Sequence, residues 1–225
     1  MTKKPLKAQN VPWIWAVVVA DALAVIAFAY PAALDQAASL LASGAKLAGA
    51  SIAPVVVLLL TSLIPSDVKA MLVYWRVKDV LPGSRAFSRY ARRDERIDLD
   101  ALKAKVGEFP RSGKDQNALW YRLFKERDNE PEVSEAHRLF LLFRDLAALS
   151  VLLGLVAPVV LVLLGASLTA VATAAAIFGA QYVACAVAAR FHGVRMVCNV
   201  LALHAAARTP PSRAVRQKEP VRRAG

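Results

Sequence analysis

A single carboxylate interrupts the first long apolar segment of the chain, Val11 to Tyr30. Asp21 lies near its middle, where a charged side chain is costly unless polar groups or water surround it. Gln181 holds a similar position in the last apolar segment. A neutral Asp21 carboxyl bonded to Gln181, or to Thr61 or Ser62, would hold two helices together. The alternative is that Asp21 and Gln181 lie on a proton or ion pathway.

Four arginines recur at helical spacing in the middle of the chain. They are Arg85, Arg89, Arg92 and Arg96. This spacing predicts one basic face on a helix from 85 to 93. We expect that face to contact the phosphates of anionic membrane lipids, and a phosphorylated small ligand is the alternative. Nucleic acid is not an expected partner, because the middle region as a whole is nearly balanced in charge.

An aromatic group marks the second half of the middle region. Trp120, Tyr121 and Phe124 are candidates for a ligand pocket or a partner surface. Core packing is the simpler interpretation, because Leu119, Trp120, Leu123 and Phe124 follow the spacing of one face of an amphipathic helix.

Two carboxylate pairs could in principle bind a divalent cation or transfer protons. They are Asp98 with Asp100, and Glu132 with Glu135 beside His137. Their positions fit helix capping and helix first turns equally well. No P-loop, GxSxG, HExxH or dinucleotide-binding pattern occurs. We therefore predict no catalytic residue, no metal site and no cofactor, and keep a lipid head-group enzyme as an alternative.

Two pairs of apolar segments must position these residues. They are Val11 to Tyr30 with Leu47 to Ile64, and Leu146 to Leu164 with Ser167 to Ala189. Each is close to the ~20 residues that cross a bilayer as a helix, and 57% of the chain is hydrophobic. The sequence predicts an all-α integral membrane protein with four transmembrane helices, arranged as two hairpins with a helical cytoplasmic insertion.

The basic residues predict the orientation of the spans. Lys and Arg are concentrated before the first span, between the second and third, and after the fourth, which makes these parts cytoplasmic. The predicted parts are an N-terminus (1–10), a first hairpin (11–64), a helical region (65–145), a second hairpin (146–189), a juxtamembrane helix (190–208) and a disordered basic tail (209–225). A cleaved secretory signal is an alternative for the first span.

Several local signals predict helix ends in the cytoplasmic region. Ser66 is expected to cap a helix that continues to Val80. Asp98 or Asp100 is expected to cap a helix that Gly107 ends.

The predicted third span continues a cytoplasmic helix. Pro131 suits the first turn of a helix that leads straight into this span, so the two parts are expected to form one rigid unit. Arg144 and Asp145 are expected to pair with neighbouring charges where the helix enters the bilayer. Residues 191–207 are expected to extend the fourth span or to lie along the membrane surface.

This plan of four spans with a helical cytoplasmic insertion resembles the small bacterial membrane effectors of anti-phage defence. The resemblance lies in topology and in no motif, so no functional residue is carried over from it. It implies a non-enzymatic inner-membrane protein, assembled as a homo-oligomer, whose cytoplasmic helices sense a protein or small-molecule trigger and alter the packing or permeability of the spans. A membrane anchor for a soluble partner is the alternative.

Overall fold

The computed structural model describes residues 5–29 and 63–207. Nearly all of the predicted second span and the basic tail lie outside these residues. Within them the chain is helical and forms no strand. The α-helices are α1 (Leu6–Ala29), α2 (Ser66–Tyr74), α3 (Leu99–Val106), α4 (Gly113–Arg127), α5 (Pro131–Leu163) and α6 (Leu168–Ala206). A 3₁₀ turn (Pro82–Arg85) and a π-helical turn (Ala86–Tyr90) lie between α2 and α3.

Three of these helices, α1, α5 and α6, are long and apolar enough to cross a membrane. They contain the predicted first, third and fourth spans except for one terminal residue of each, so the described residues confirm these three apolar helices. The predicted second span, Leu47 to Ile64, falls almost wholly outside the description.

Helices α5 and α6 pack against each other along their lengths in opposite directions. The link between them contains Gly165 in the left-handed conformation, at φ 72°. Near this link Leu161 packs with Phe178. At the other end, the Asn199 side-chain amide donates a hydrogen bond to the Glu132 carbonyl at 3.0 Å. These contacts show that α5 and α6 are antiparallel.

Helix α1 lies along this pair from one end to the other. Close to its start, the Asn10 amide donates to the Arg138 carbonyl of α5 at 2.8 Å. Val18 packs with Leu149 farther along, and Phe28 joins the cluster around Leu161 beside the α5–α6 link. The two ends of α1 therefore lie at opposite ends of the α5–α6 pair.

A second core surrounds the last part of α6. Met196 and Leu201 of α6 are buried together with Phe87, Trp120 of α4 and Val133 of α5. We call this part the head, meaning residues 66–145 and 190–206. We call the remaining helical part the bundle, meaning residues 11–29, 146–164 and 167–189. Of the two arrangements expected for residues 191–207, the described helix follows the first: α6 continues without a break to Ala206, and this extension forms the centre of the head.

Helix α2 is shorter than predicted. It ends at Tyr74 and not at Val80, because Trp75 adopts a left-handed backbone conformation at φ 51°. The Trp75 backbone N–H donates the last hydrogen bond of the helix, to the Met71 carbonyl. The prediction that Ser66 is the cap is wrong as well. Pro65 precedes the helix, and no side chain caps it.

Other predicted helix ends are confirmed. Asp98 accepts hydrogen bonds from the backbone N–H groups of Asp100 and Ala101, which identifies it as the cap of α3. Gly107 follows the last turn of that helix. Pro131 occupies the first turn of α5, which continues without a break into the apolar third span.

Candidate functional site at the junction of head and bundle

The two polar side chains predicted inside the membrane are in contact. Asp21 of α1 is buried, and the Gln181 amide of α6 donates a hydrogen bond to its carboxyl oxygen at 3.1 Å. Thr61 and Ser62, the other partners considered for Asp21, lie outside the described residues. The contact joins α1 to α6 in the middle of the bundle, and such a bond is worth about 1 kcal/mol or less.

A group of buried charges lies where the head meets the bundle. The Lys69 ammonium of α2 is 3.1 Å from the Asp145 carboxylate of α5, and their side chains are 8% and 15% exposed. The guanidinium of Arg144, which is also buried, contacts the same carboxylate at 3.0 Å. The predicted pairing of Arg144 and Asp145 with neighbouring charges is confirmed. One carboxylate serves two cations, so removing it would leave both uncompensated.

Helix α2 is attached to α6 by further polar contacts. The Trp75 indole N–H donates to the Tyr182 hydroxyl at 2.8 Å, and that hydroxyl donates to the Leu72 carbonyl at 2.9 Å. The Arg190 guanidinium donates to the Val73 carbonyl. Together with the Lys69 ion pair, these contacts fix α2 against both α5 and α6.

The predicted single face of four arginines does not form, and this corrects the sequence prediction. Phe87 and Ser88 donate their backbone N–H groups to the Gln116 side-chain oxygen at 3.2 and 3.0 Å. The Gln116 oxygen thus takes the place of the backbone carbonyls that would accept these N–H groups in an α-helix. The segment folds instead as a 3₁₀ turn followed by a π turn. Arg89 lines a groove with Tyr90 and Val194, whereas Arg92 lines a different groove with Leu99 and Pro110.

Arg96 has a structural role. Its guanidinium binds the Asp94 carboxylate at 2.6 and 2.9 Å and donates to the Asn199 side-chain oxygen at 3.2 Å. The hydrogen bonds from Arg96 lower the pKa of Asp94 to about 2. Because Asn199 also bonds the Glu132 carbonyl, this network ties the segment before α3 to α5 and α6.

Arg85 and Arg89 instead belong to a different set of basic residues. We call Arg76, Arg85, Arg89 and Arg190 the arginine cluster. Burial lowers the pKa of Arg76, and repulsion by the other three members lowers it further. Within the described residues, no carboxylate forms an ion pair with any member of this cluster.

For Trp120 and Phe124 the structure supports core packing, the simpler of the two interpretations of the aromatic group, and not a partner surface. Trp120 and Phe124 are buried and their rings stack at 5.4 Å. Leu123 is buried on the same face of α4, as the helical spacing indicates. Tyr121 is 51% exposed. A partner-binding role at this surface therefore remains a prediction for Tyr121 alone.

The predicted carboxylate pairs have local partners. Asp98 caps α3, and Glu135 forms an ion pair with Arg138 at 2.7 Å. The His137 ring lies edge-on to Phe124 at 5.2 Å. In residues 5–29 and 63–207, no three His, Cys, Asp or Glu side chains are grouped so that they could hold a metal ion.

Sequence reasoning missed several of the junction residues. Lys69 shares the buried face of α2 with Ala70, Val73 and Tyr74, which is the same spacing that identified the buried face of α4. A lysine on such a face needs an anionic partner, so this signal was present in the sequence. Arg190 and Asn10 gave no comparable signal, because their partners are carbonyl groups distant in sequence.

Comparisons of the chain with protein-family models, curated proteins and solved structures return no match.

Proposed function

We propose that this is a non-enzymatic protein of the bacterial inner membrane whose head senses a ligand or partner and alters the packing or permeability of the spans. The main support is the continuity of α5 and α6. Val133 of α5 belongs to the head core, and Leu161 of the same helix belongs to the bundle core. Likewise, α6 contributes Phe178 to the bundle and Val200 to the head. A change in head packing would therefore act directly on both spans.

Helix α2 supplies a third connection. The predicted second span ends at Ile64, and α2 begins at Ser66. Lys69 binds Asp145 of α5, and the residues at the end of α2 bind Tyr182 and Arg190 of α6. Under this proposal, α2 transmits movement of the head to the second span.

The positions of the chain ends support a four-span topology with both termini cytoplasmic. Asn10 binds Arg138 at the head end of α5, whereas Phe28 lies beside the α5–α6 link. The chain leaves α1 at the far end of the bundle and re-enters the description at Leu63, beside the head. Under this proposal, Leu47 to Ile64 returns the chain across the membrane, because the stretch is long and apolar enough for a spanning helix.

Permeability would require several copies, because a bundle of this size fills its own interior. Small residues on α6 supply a surface for such a homo-oligomer. Ala172, Ala175, Ala176 and Gly179 are exposed there, while Ala174 is buried inside the bundle. The proposed assembly surface is therefore the outer face of α6.

The proposal is tested by inducing the chain in bacterial cells while a dye reports membrane potential. We expect loss of potential with the wild type and retained potential with Asp21→Leu, which cannot bond Gln181. Asp21→Asn keeps a hydrogen-bonding oxygen but no ionisable group, so it shows whether the bond or the carboxyl group is needed. Asp67→Asn, at an exposed acid of α2, controls for charge.

Unchanged potential in every strain would contradict the proposal. It would favour the alternative of a membrane anchor for a soluble partner, with Tyr121 as the first residue to substitute. Altered lipid composition in the same cells would favour a lipid head-group enzyme.

A further inference from the structure

The arginine cluster places four positive charges near one another on the head. Its members have no carboxylate partner among the described residues, as noted above. The segments outside the description contain two acidic residues, Asp35 and Glu219, against a larger number of basic ones. Asp35 belongs to the link predicted on the opposite side of the membrane. The cluster is therefore open to an anion from another molecule.

Arg190 holds a defined position within this cluster. Its guanidinium carbon lies 3.6 Å from the centre of the Trp75 ring, a cation–π arrangement. One edge of the guanidinium donates to the Val73 carbonyl, while Nη2 is buried and has no hydrogen-bond partner. Trp75 reaches this place through a left-handed backbone conformation that a tryptophan rarely adopts. The geometry fixes a guanidinium and leaves a strong donor unused.

Two adjoining grooves connect Arg190 with Arg89. One, of about 660 Å³, is lined by Arg89 and Arg93, and the other, of about 580 Å³, by Arg190 and Arg195. Both are also lined by Val194 and by Asp94, whose carboxylate is paired with Arg96, and Glu95 lines the first groove as well. Planar guanidinium groups bind phosphate oxygens through paired hydrogen bonds, so this surface is chemically suited to a phosphate group.

Large apolar side chains are exposed next to these arginines. Trp75 is 55%, Val77 81% and Phe191 62% exposed. Arg190 is the first charged residue after the uncharged stretch 146–189. A free phosphate would leave these apolar side chains exposed to water, whereas the acyl chains of a phospholipid would cover them.

We infer that the arginine cluster binds the phosphate of an anionic phospholipid headgroup, with Trp75, Val77 and Phe191 against its acyl chains. Arg76 and Arg190, which the sequence pattern did not select, join Arg85 and Arg89 of the predicted contact, whereas Arg92 lines a different groove and Arg96 is paired with Asp94. The inference requires a membrane location but no permeability. A protein that binds this lipid and never conducts would satisfy it and contradict the proposed function.

The test is native mass spectrometry of the full chain in detergent micelles, titrated with phosphatidylglycerol or phosphatidylcholine. The variant is Arg76→Gln with Arg89→Gln, since neither side chain makes a hydrogen bond within the described residues. Arg111→Gln with Arg122→Gln removes the same charge from exposed positions elsewhere on the head. Arg89→Gln alone is the second variant if the double variant does not fold.

We expect the wild type to prefer phosphatidylglycerol. The cluster variant should lose roughly thirty-fold in affinity for it, because each basic residue near an anionic lipid contributes about 1 kcal/mol, or about five-fold. Arg89→Gln alone should lose about five-fold, and the control variant should keep wild-type affinity. Equal binding of both lipids, or an equal loss in the control, would overturn the inference. Competition by millimolar inorganic phosphate would overturn the lipid as the source of the phosphate.

Discussion

In the bundle, Leu155 and Leu168 are 68% and 82% exposed. In the head, by contrast, the apolar side chains of Phe87, Leu102 and Val133 are buried. The same two helices, α5 and α6, carry both arrangements. In the head, α3, α4 and the turns around Phe87 cover their apolar faces, and in the bundle α1 covers only part of them. The head can therefore exclude water by itself, while the bundle needs hydrocarbon around it.

Polar groups differ between the regions in the same way. The head uses buried amides of Gln116 and Asn199 to satisfy backbone groups and an arginine. In the bundle, Asp21 and Gln181 satisfy each other, and the Ser150 hydroxyl donates to the Leu146 carbonyl of its own helix. The comparison indicates that the head owes its shape to specific contacts between distant segments.

Loss of an aromatic side chain from the head core should have the largest effect on stability. Trp120→Ala removes a buried ring that stacks on Phe124 and should cost about 3–5 kcal/mol. Tyr121→Ala, at the exposed neighbouring position, should leave melting almost unchanged. Thermal unfolding in detergent, followed by circular dichroism, measures both. Equal melting of Trp120→Ala and wild type would mean that the head core does not stabilise the protein.

Loss of the Asp145 carboxylate, which Lys69 and Arg144 share, should have the second-largest effect on stability. Asp145→Asn leaves Lys69 and Arg144 buried without a counter-charge, which should cost about 3 kcal/mol. Glu95→Gln removes an acid from an exposed position of the head and is the matched control. Limited proteolysis of the segment before α2 would show whether this helix detaches. A melting temperature equal to that of Glu95→Gln would contradict the proposed attachment of α2.

Replacing a glycine of α6 by alanine should affect stability differently in the head and in the bundle. A Cβ atom on Gly193 would overlap the Tyr74 hydroxyl and lie 3.0 Å from Phe140, so Gly193→Ala should cost about 1–3 kcal/mol. A Cβ atom on Gly179 meets nothing within 4 Å, so Gly179→Ala should be neutral in the monomer. The unfolding free energies of both variants and of the wild type, measured in detergent micelles, test this difference. A larger loss for Gly179→Ala would place the tighter packing in the bundle.

Acid should weaken the head, although this effect is small. The pKa of Asp94 falls from 3.8 to about 2 on folding, so its contribution is present above about pH 4 and is lost as the pH falls toward 2. Wild type should melt above Asp94→Asn at about pH 5, and the difference should close by about pH 2. A constant difference over that range would show that ionisation of Asp94 does not contribute.

The local features of the fold follow from short-range patterns. Asp98 and Gly107 mark the ends of α3, and the apolar spacing in α4 identifies the buried Trp120. The continuity of α5 follows from Pro131 and an uninterrupted helical pattern. Each depends on residues within a few turns of one another, and sequence alone carries that information.

The junction depends on contacts between segments far apart. Gln116 changes the backbone at Phe87 and Ser88, and this separates arginines whose spacing predicted one face. Arg190 joins Arg76 and Arg89 only after α2 has packed on α6. Asp21 and Gln181 were recognisable because polar residues are rare in apolar segments, yet their contact with each other depends on the packing of α1 against α6.

If the head and the spans act as one unit that controls permeability, the purified protein should conduct ions in a simple membrane. A potassium-driven potential across liposomes that contain the protein tests this, with oligomer size measured in parallel. We expect an oligomeric wild type to dissipate the potential and Asp21→Leu, equally incorporated, to retain it. A monomeric wild type that holds the potential in both zwitterionic and anionic vesicles would contradict it.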